Sequence, residues 1–156
     1  MILFSLGTHD QDFSRMAKAA DEYAATTDER IVVQTGYTHY RFEHIKEHFD
    51  FCPKERMTAL MDEADILVLQ GGWGGMCEAV DKGKRVVVIP RINGLEHVHD
   101  QGQVVRKMEQ LGCVLGVYDT KDLPAVIEKA RTYRFQPLKR GNASIIKETL
   151  ENWFKK

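Results

Sequence analysis

The sequence predicts a doubly wound α/β domain on a parallel sheet, and three observations carry that expectation. Apolar runs such as Ile66 to Leu69 and Arg85 to Ile89 show no polar alternation, as strands covered by helices on both faces require. These runs take turns along the chain with segments whose apolar residues recur at helical spacing. Polar or glycine-bearing stretches follow the runs at Gly7-Thr8-His9, Thr35-Gly36, Gly71 to Gly75 and Arg91 to Gln101. In a parallel sheet all of them lie beyond the carboxyl ends of strands, on the rim where such sheets bind ligands.

Met1 to Leu6 is the first expected strand, and Phe13, Met16, Ala20 and Tyr23 mark the first helix. Asp10-Gln11-Asp12 spells a metal-binding Asp-x-Asp, but directly ahead of a helix aspartate serves as a cap or first-turn residue. Arg30 to Gln34 gives the second strand. Between Tyr37 and Phe51 the aromatic residues keep no clean period; a short helix and then a strand at Phe49 to Cys52 are expected. His44 and His48 have the spacing of helical metal ligands, yet Glu43 and Glu47 beside them read as a solvated charged face. Pro53 opens a helix with Met57, Leu60, Met61 and Ala64 on one side. After the two buried strands, Val104, Val105, Met108 and Leu111 mark a helix stopped at Gly112, and Cys113 to Val117 is a strand. Thr120 is the expected cap of a helix bearing Leu123, Ile127 and Ala130. Asn142 is the expected cap of the last helix, which carries Ile146, Leu150, Trp153 and Phe154 on one face.

With 156 residues the chain fits a single domain, 1–156, with 142–156 as a C-terminal helix whose apolar face either packs on the domain's own sheet or docks on a partner. The formal net charge of -1, from 22 basic and 23 acidic residues, gives no pull toward nucleic acid. Cys52, Cys77 and Cys113 are too far apart for a zinc pattern and odd in number, which fits a reducing, cytoplasmic setting. No run approaches the ~18 to 20 apolar residues of a membrane span. Met1 enters a strand at once, so no signal peptide is expected. Any link to a membrane is expected to come through a partner or a surface contact.

The chemistry concentrates in Ala64 to Gln103. An apolar strand runs into Gly71-Gly72-Trp73-Gly74-Gly75, and a helix is expected to start near Gly74. Glycines let the backbone approach a ligand closely, and the N–H groups of a helix start suit a phosphate or diphosphate. Glu78, on the early turns of this helix, is placed for a ribose hydroxyl. The loop after Pro90 carries Glu96, His97, His99, Asp100 and Gln101, polar groups that suit a sugar. Trp73 can stack on a base or sugar, plug the domain's own core, or meet another chain. His9 is a candidate base or acceptor-orienting group, since imidazole titrates near neutral pH. A lone histidine in a strand-end loop also serves as a plain hydrogen-bonded group. Cys77 lacks a paired base and reads as a small buried residue.

Three stretches in register carry a family likeness: Ile2 to Phe13, Ala64 to Pro90, and Arg91 to Asp100 with Glu96-His97-Val98. They resemble the nucleotide-sugar-binding half of family 28 glycosyltransferases. Within that group they resemble the small subunits of two-component enzymes, namely the PssE-like subunits of exopolysaccharide synthesis and the catalytic subunit of the dolichol-pathway UDP-N-acetylglucosamine transferase. The resemblance implies a Rossmann-like domain of the GT-B C-terminal type, needing no metal or other cofactor. It implies that Gly72 and Gly74 flank a donor diphosphate and that Glu78 holds the ribose. Asp100 and its neighbours Glu96, His97 and Gln101 would meet the sugar. Gly75 is a further binding candidate in the glycine loop, and Gln70 and Trp73, the latter in place of the family's small residue, are candidates that influence sugar choice. Gly7, Thr8 and His9 would face a cleft shared with a membrane-anchored partner that binds a lipid-linked acceptor. Two departures stand out. Leu69 and Gln70 replace the family's Ser-His before the glycine loop, and Gln101 and Gly102 replace His-Gln in the second loop. The expected activity is inverting transfer of a sugar from a UDP-sugar. The alternatives are a non-catalytic accessory subunit that stabilises a transferase partner, and a stand-alone nucleotide-binding protein.

Overall fold

The computed structural model describes residues 1–92, 95 and 101–154. Six parallel strands form one sheet in the order β3-β2-β1-β4-β5-β6. The strands are β1 (Ile2–Ser5), β2 (Ile31–Gln34), β3 (Glu47–Phe49), β4 (Ile66–Gln70), β5 (Arg85–Ile89) and β6 (Leu115–Gly116). The helices are α1 (Ser14–Ala24), α2 (Lys54–Glu63), α3 (Trp73–Asp81), α4 (Gln101–Gln110), α5 (Leu123–Thr132) and α6 (Arg140–Phe154). This is the doubly wound, Rossmann-like arrangement that the alternating pattern predicts. Strand order reverses between β1 and β4, which opens a crevice at their carboxyl ends.

Strand parity builds two cores. Ile2, Phe4, Ile66 and Val68 point to one face, where Phe13, Met16 and Ala20 of the α1 region and Leu123 and Ile127 of α5 cover them. Leu3, Leu67, Leu69, Val86 and Val88 point to the other, under Leu60 and Met61 of α2, Met76 of α3 and Val105 and Met108 of α4. Each such side chain contributes about 1.5–3 kcal/mol when fully buried. Because both faces are covered, β1 and β4 have no position for a polar residue until their last one, Ser5 and Gln70. Ile146 of α6 is buried against the second core and Leu150 packs beside it; α6 starts at Arg140, so Asn142 lies inside the helix and is not its cap. Among the described residues no helix is long and apolar enough to cross a membrane.

Several boundaries differ from expectation. No helix forms between Tyr37 and Phe51, and β3 covers Glu47–Phe49 instead of Phe49 to Cys52. The cause is tertiary. Asp21 of α1 is buried, and its carboxylate accepts the N–H groups of Glu43, His44 and Ile45 at 3.0, 2.9 and 3.2 Å. These three N–H groups are satisfied without helical bonds, so the segment runs irregularly into β3. His44 and His48 are therefore not on a helix; His48 is in β3. Asp21→Ala would orphan that set of donors, and a loss of about 3 kcal/mol is expected in a urea denaturation curve. Asp12, one residue ahead of the Phe13 N-cap of α1, accepts the Ser14 N–H at 3.0 Å, an anchoring of the helix start. Thr120 is not a cap. Asp119 accepts the Lys121 N–H and starts a 3-10 turn over Thr120–Asp122 that leads into α5. Gly112, at φ +75°, ends the α4 region as expected, but β6 is confined to Leu115–Gly116.

Candidate functional site

A cleft of about 270 Å³ opens at the reversal point. Its floor is made by the ends of β1 and β4, with Ser5, Gly7, Thr8, Leu69 and Gln70, and by Gly75 of α3. Phe51, Cys52 and Met57, from the turn after β3 and the start of α2, form a wall.

Parallel register sets Ser5 beside Gln34. The Ser5 hydroxyl donates to Gln34 Oε1 at 2.7 Å, and Gln34 Nε2 donates to the carbonyls of Gly7 (3.2 Å) and Asp50 (3.0 Å). Gln34 is buried, so this one amide ties β1, β2 and the turn after β3 together under the cleft. Gly7, at φ +87°, turns the chain out of β1 in a conformation open to glycine. A second tie comes from Arg91, which is 2% exposed at the end of β5. Its guanidinium donates to the carbonyls of Gln11 (2.7 Å) and Leu6 (2.9 Å) and lies 4.6 Å from the Phe13 ring centre. Neither residue stands out in the sequence. The available signals were a polar residue closing an otherwise apolar strand and a cation directly after Pro90.

The four loop glycines divide into two pairs. A Cβ on Gly71 would stand 2.8 Å from the Gln101 side chain, and one on Gly72 would collide with Nε2 of Gln70. These two are glycine because the protein's own amides press on them. Gly74 and Gly75 have nothing within 4 Å of a Cβ and are exposed. They lie in the first turn of α3, which starts at Trp73 with Gly72 as N-cap. Helix geometry leaves the N–H groups of Trp73, Gly74 and Gly75 without intrahelical acceptors, and the helix dipole adds partial positive charge there. Glu78 follows at the i+4 and i+3 positions, hence on the same face. It is exposed, in the second turn. Open glycines, unsatisfied donors and a carboxylate thus share one surface beside the cleft.

Other candidates fall differently. Gln101 is not open to a ligand: it is 5% exposed, and its amide bonds to the N–H groups of Gly71 and Arg91 and to Gln70. Gln70 lines the cleft. Trp73 is half-buried and packs in part against the second core. Thr8 is an exposed part of the floor. His9 follows Thr8 in the chain; its Nδ1 accepts the Gln11 N–H at 3.1 Å and lies 3.4 Å from an Asp10 carboxylate oxygen. Burial pushes the Cys77 thiol up to about 11, with Asp81 adding to the effect, so it stays protonated and non-nucleophilic near neutral pH. Glu96, His97 and Asp100 lie outside the described residues.

Residues 1–152 match the glycosyltransferase family 28 C-terminal domain. The chain belongs to that family. No curated protein sequence matches it. Solved structures share the fold at low identity. The glycotransferase of kitacinnamycin superposes with a TM-score of 0.65 at 21% identity, over 99% of this chain and 39% of that one. ALG13, solved by NMR, gives 0.63 at 16% identity, over 98% of this chain and 96% of that one. MurG of Acinetobacter baumannii gives 0.51 at 17% identity, over 96% of this chain and 51% of that one. The family 28 domain thus has the GT-B C-terminal-type fold, and it spans about half or less of the kitacinnamycin glycotransferase and MurG chains.

Proposed function

We propose that this domain is the donor-binding half of an inverting glycosyltransferase that moves a sugar from a UDP-sugar to a lipid-linked acceptor, in polysaccharide or glycolipid synthesis. The observation that carries the proposal is the shared face of Gly74, Gly75 and Glu78 at the start of α3, beside the cleft at the β1/β4 reversal. The donor diphosphate would rest on the free N–H groups of Trp73, Gly74 and Gly75, with Glu78 on the ribose hydroxyls. As the acceptor hydroxyl attacks the anomeric carbon, the bond to the diphosphate oxygen breaks and negative charge grows on that oxygen. Fixed N–H dipoles stabilise this charge without a metal ion. His9, next to Thr8 of the cleft floor, is proposed to orient the acceptor hydroxyl or to take its proton; the alternative is a base on the facing half.

That facing half is proposed to be a membrane-anchored partner subunit that holds the lipid-linked acceptor, with this domain on the cytoplasmic side. The match to ALG13, a chain of comparable length, supports a separate donor subunit. Family membership supports the activity but leaves the sugar open. The accessory-subunit alternative draws on one observation. Gln70 and Gln101, at positions where the resemblance implies other polar residues, bond to each other and to backbone.

Calorimetric titration with UDP and a panel of UDP-sugars, with and without magnesium, tests the proposal. Saturable binding without metal is expected. Glu78→Ala should weaken it about tenfold while the unfolding midpoint stays unchanged. Absence of binding, both alone and with the partner half, would sink the donor role and favour the accessory one.

A further inference from the structure

We propose that Gln101 sets the hydrogen-bonding polarity of the cleft through Gln70, so that the cleft offers an N–H donor to an anionic oxygen of the ligand. The ligand's identity rests on the donor role proposed above; the relay itself rests on the geometry.

A primary amide has an accepting end and a donating end, and only its neighbours decide which way it points. For Gln101 the decision is forced. Its Oε1 is 3.0 Å from the Gly71 nitrogen and 2.9 Å from the Arg91 nitrogen. Backbone N–H groups only donate, and both of these are buried, so the end that meets them must be oxygen. The NH2 end of Gln101 then faces Gln70 and donates to its Oε1 at 2.8 Å. That bond fixes the second amide in turn. With Oε1 of Gln70 held by Gln101, its Nε2 is the end left over. It lies across the two glycines, 2.9 Å from a Cβ built on Gly7 and in collision with one built on Gly72. Gln70 lines the cleft together with Gly75.

Gln101 is buried on α4 and meets no ligand; it is a positioning residue. Gln70 is the group that meets the ligand. Its NH2 adds to the free N–H groups at the start of α3, so donors converge on the cleft from β4 and from α3. A nucleoside diphosphate supplies the matching acceptors, its phosphate oxygens.

The discriminating variant is Gln101→Glu. A carboxylate accepts from Gly71 and Arg91 as before, which keeps the loop tied. Its second oxygen now faces Gln70, and two oxygens repel. Gln70 therefore turns round, donates to the introduced carboxylate, and presents its own oxygen to the cleft. Two readouts follow. By NMR, nuclear Overhauser contacts between the Gln70 side-chain NH2 and the Hα protons of Gly7 and Gly72 are expected in the wild-type chain and lost in Gln101→Glu. By calorimetry, UDP is expected to bind the variant about tenfold to hundredfold more weakly. Gln70→Met removes the amide while keeping its length and should lose a comparable factor, which covers the case in which Gln101→Glu does not fold. Persistence of the NH2 contacts in Gln101→Glu, or unchanged UDP affinity in Gln70→Met, would overturn the proposal. If the contacts switch as expected but the wild-type chain binds no UDP, the amide relay stands and the donor role falls.

Discussion

Gly36→Ala is expected to lower stability by about 3 kcal/mol or more and to abolish ligand binding at the cleft. Two effects combine. Gly36 has φ +59°, a left-handed conformation that costs a residue with a Cβ about 1–2 kcal/mol. The Cβ would also drive into the carbonyl oxygen of Gly7, a rigid backbone atom. That carbonyl is one of the acceptors of Gln34, so moving it loosens the amide that ties β1, β2 and the turn after β3. Gly83 provides the control. It has φ +70°, but nothing lies within 4 Å of a Cβ there. Gly83→Ala should show only the conformational part, about 1–2 kcal/mol. Urea denaturation of the two variants measures the difference, and equal losses would show that the contact with Gly7 carries nothing.

The strands and their order of appearance were legible because a sheet covered on both faces writes continuous apolar runs. The rim was legible for a related reason: in a parallel sheet every strand-end loop falls on the same side. Legibility failed where a contact spans the sequence. Nothing local in Tyr37 to Phe51 announces that Asp21, on α1, takes the N–H groups that a helix would otherwise satisfy. The glycine loop is legible in the sequence, but its division is not. Gly71 is pressed by Gln101, 30 positions away, and no spacing rule connects them. Gln101 itself looked like a sugar ligand because it follows a polar loop; in the fold it is an interior amide. Gln34 and Arg91 escaped for the opposite reason. A single polar residue at a strand end is common, and only the register that puts Ser5 beside Gln34 gives it a task.

The open pair of glycines leads to an expectation in which stability and function move in opposite directions. Glycine in a helix is less favourable than most residues by up to about 1 kcal/mol. Gly74 and Gly75 both sit in α3, both have free space where a Cβ would stand, and neither has positive φ. Nothing among the described residues calls for glycine at either position. Gly75→Leu should therefore raise stability by about 0.5 kcal/mol, read as a higher urea midpoint. The same side chain would stand in the cleft that Gly75 lines, over the N–H groups proposed for the diphosphate. UDP affinity should fall roughly tenfold to hundredfold, the scale of about 1–3 kcal/mol of steric overlap. Gly83→Ala, whose Cβ also meets open space but far from α3's first turn, should leave affinity intact in molecules that remain folded. A Gly75→Leu chain that is more stable and binds UDP as before would mean that the space above this turn belongs to solvent, and the diphosphate would have to be sought elsewhere on the rim.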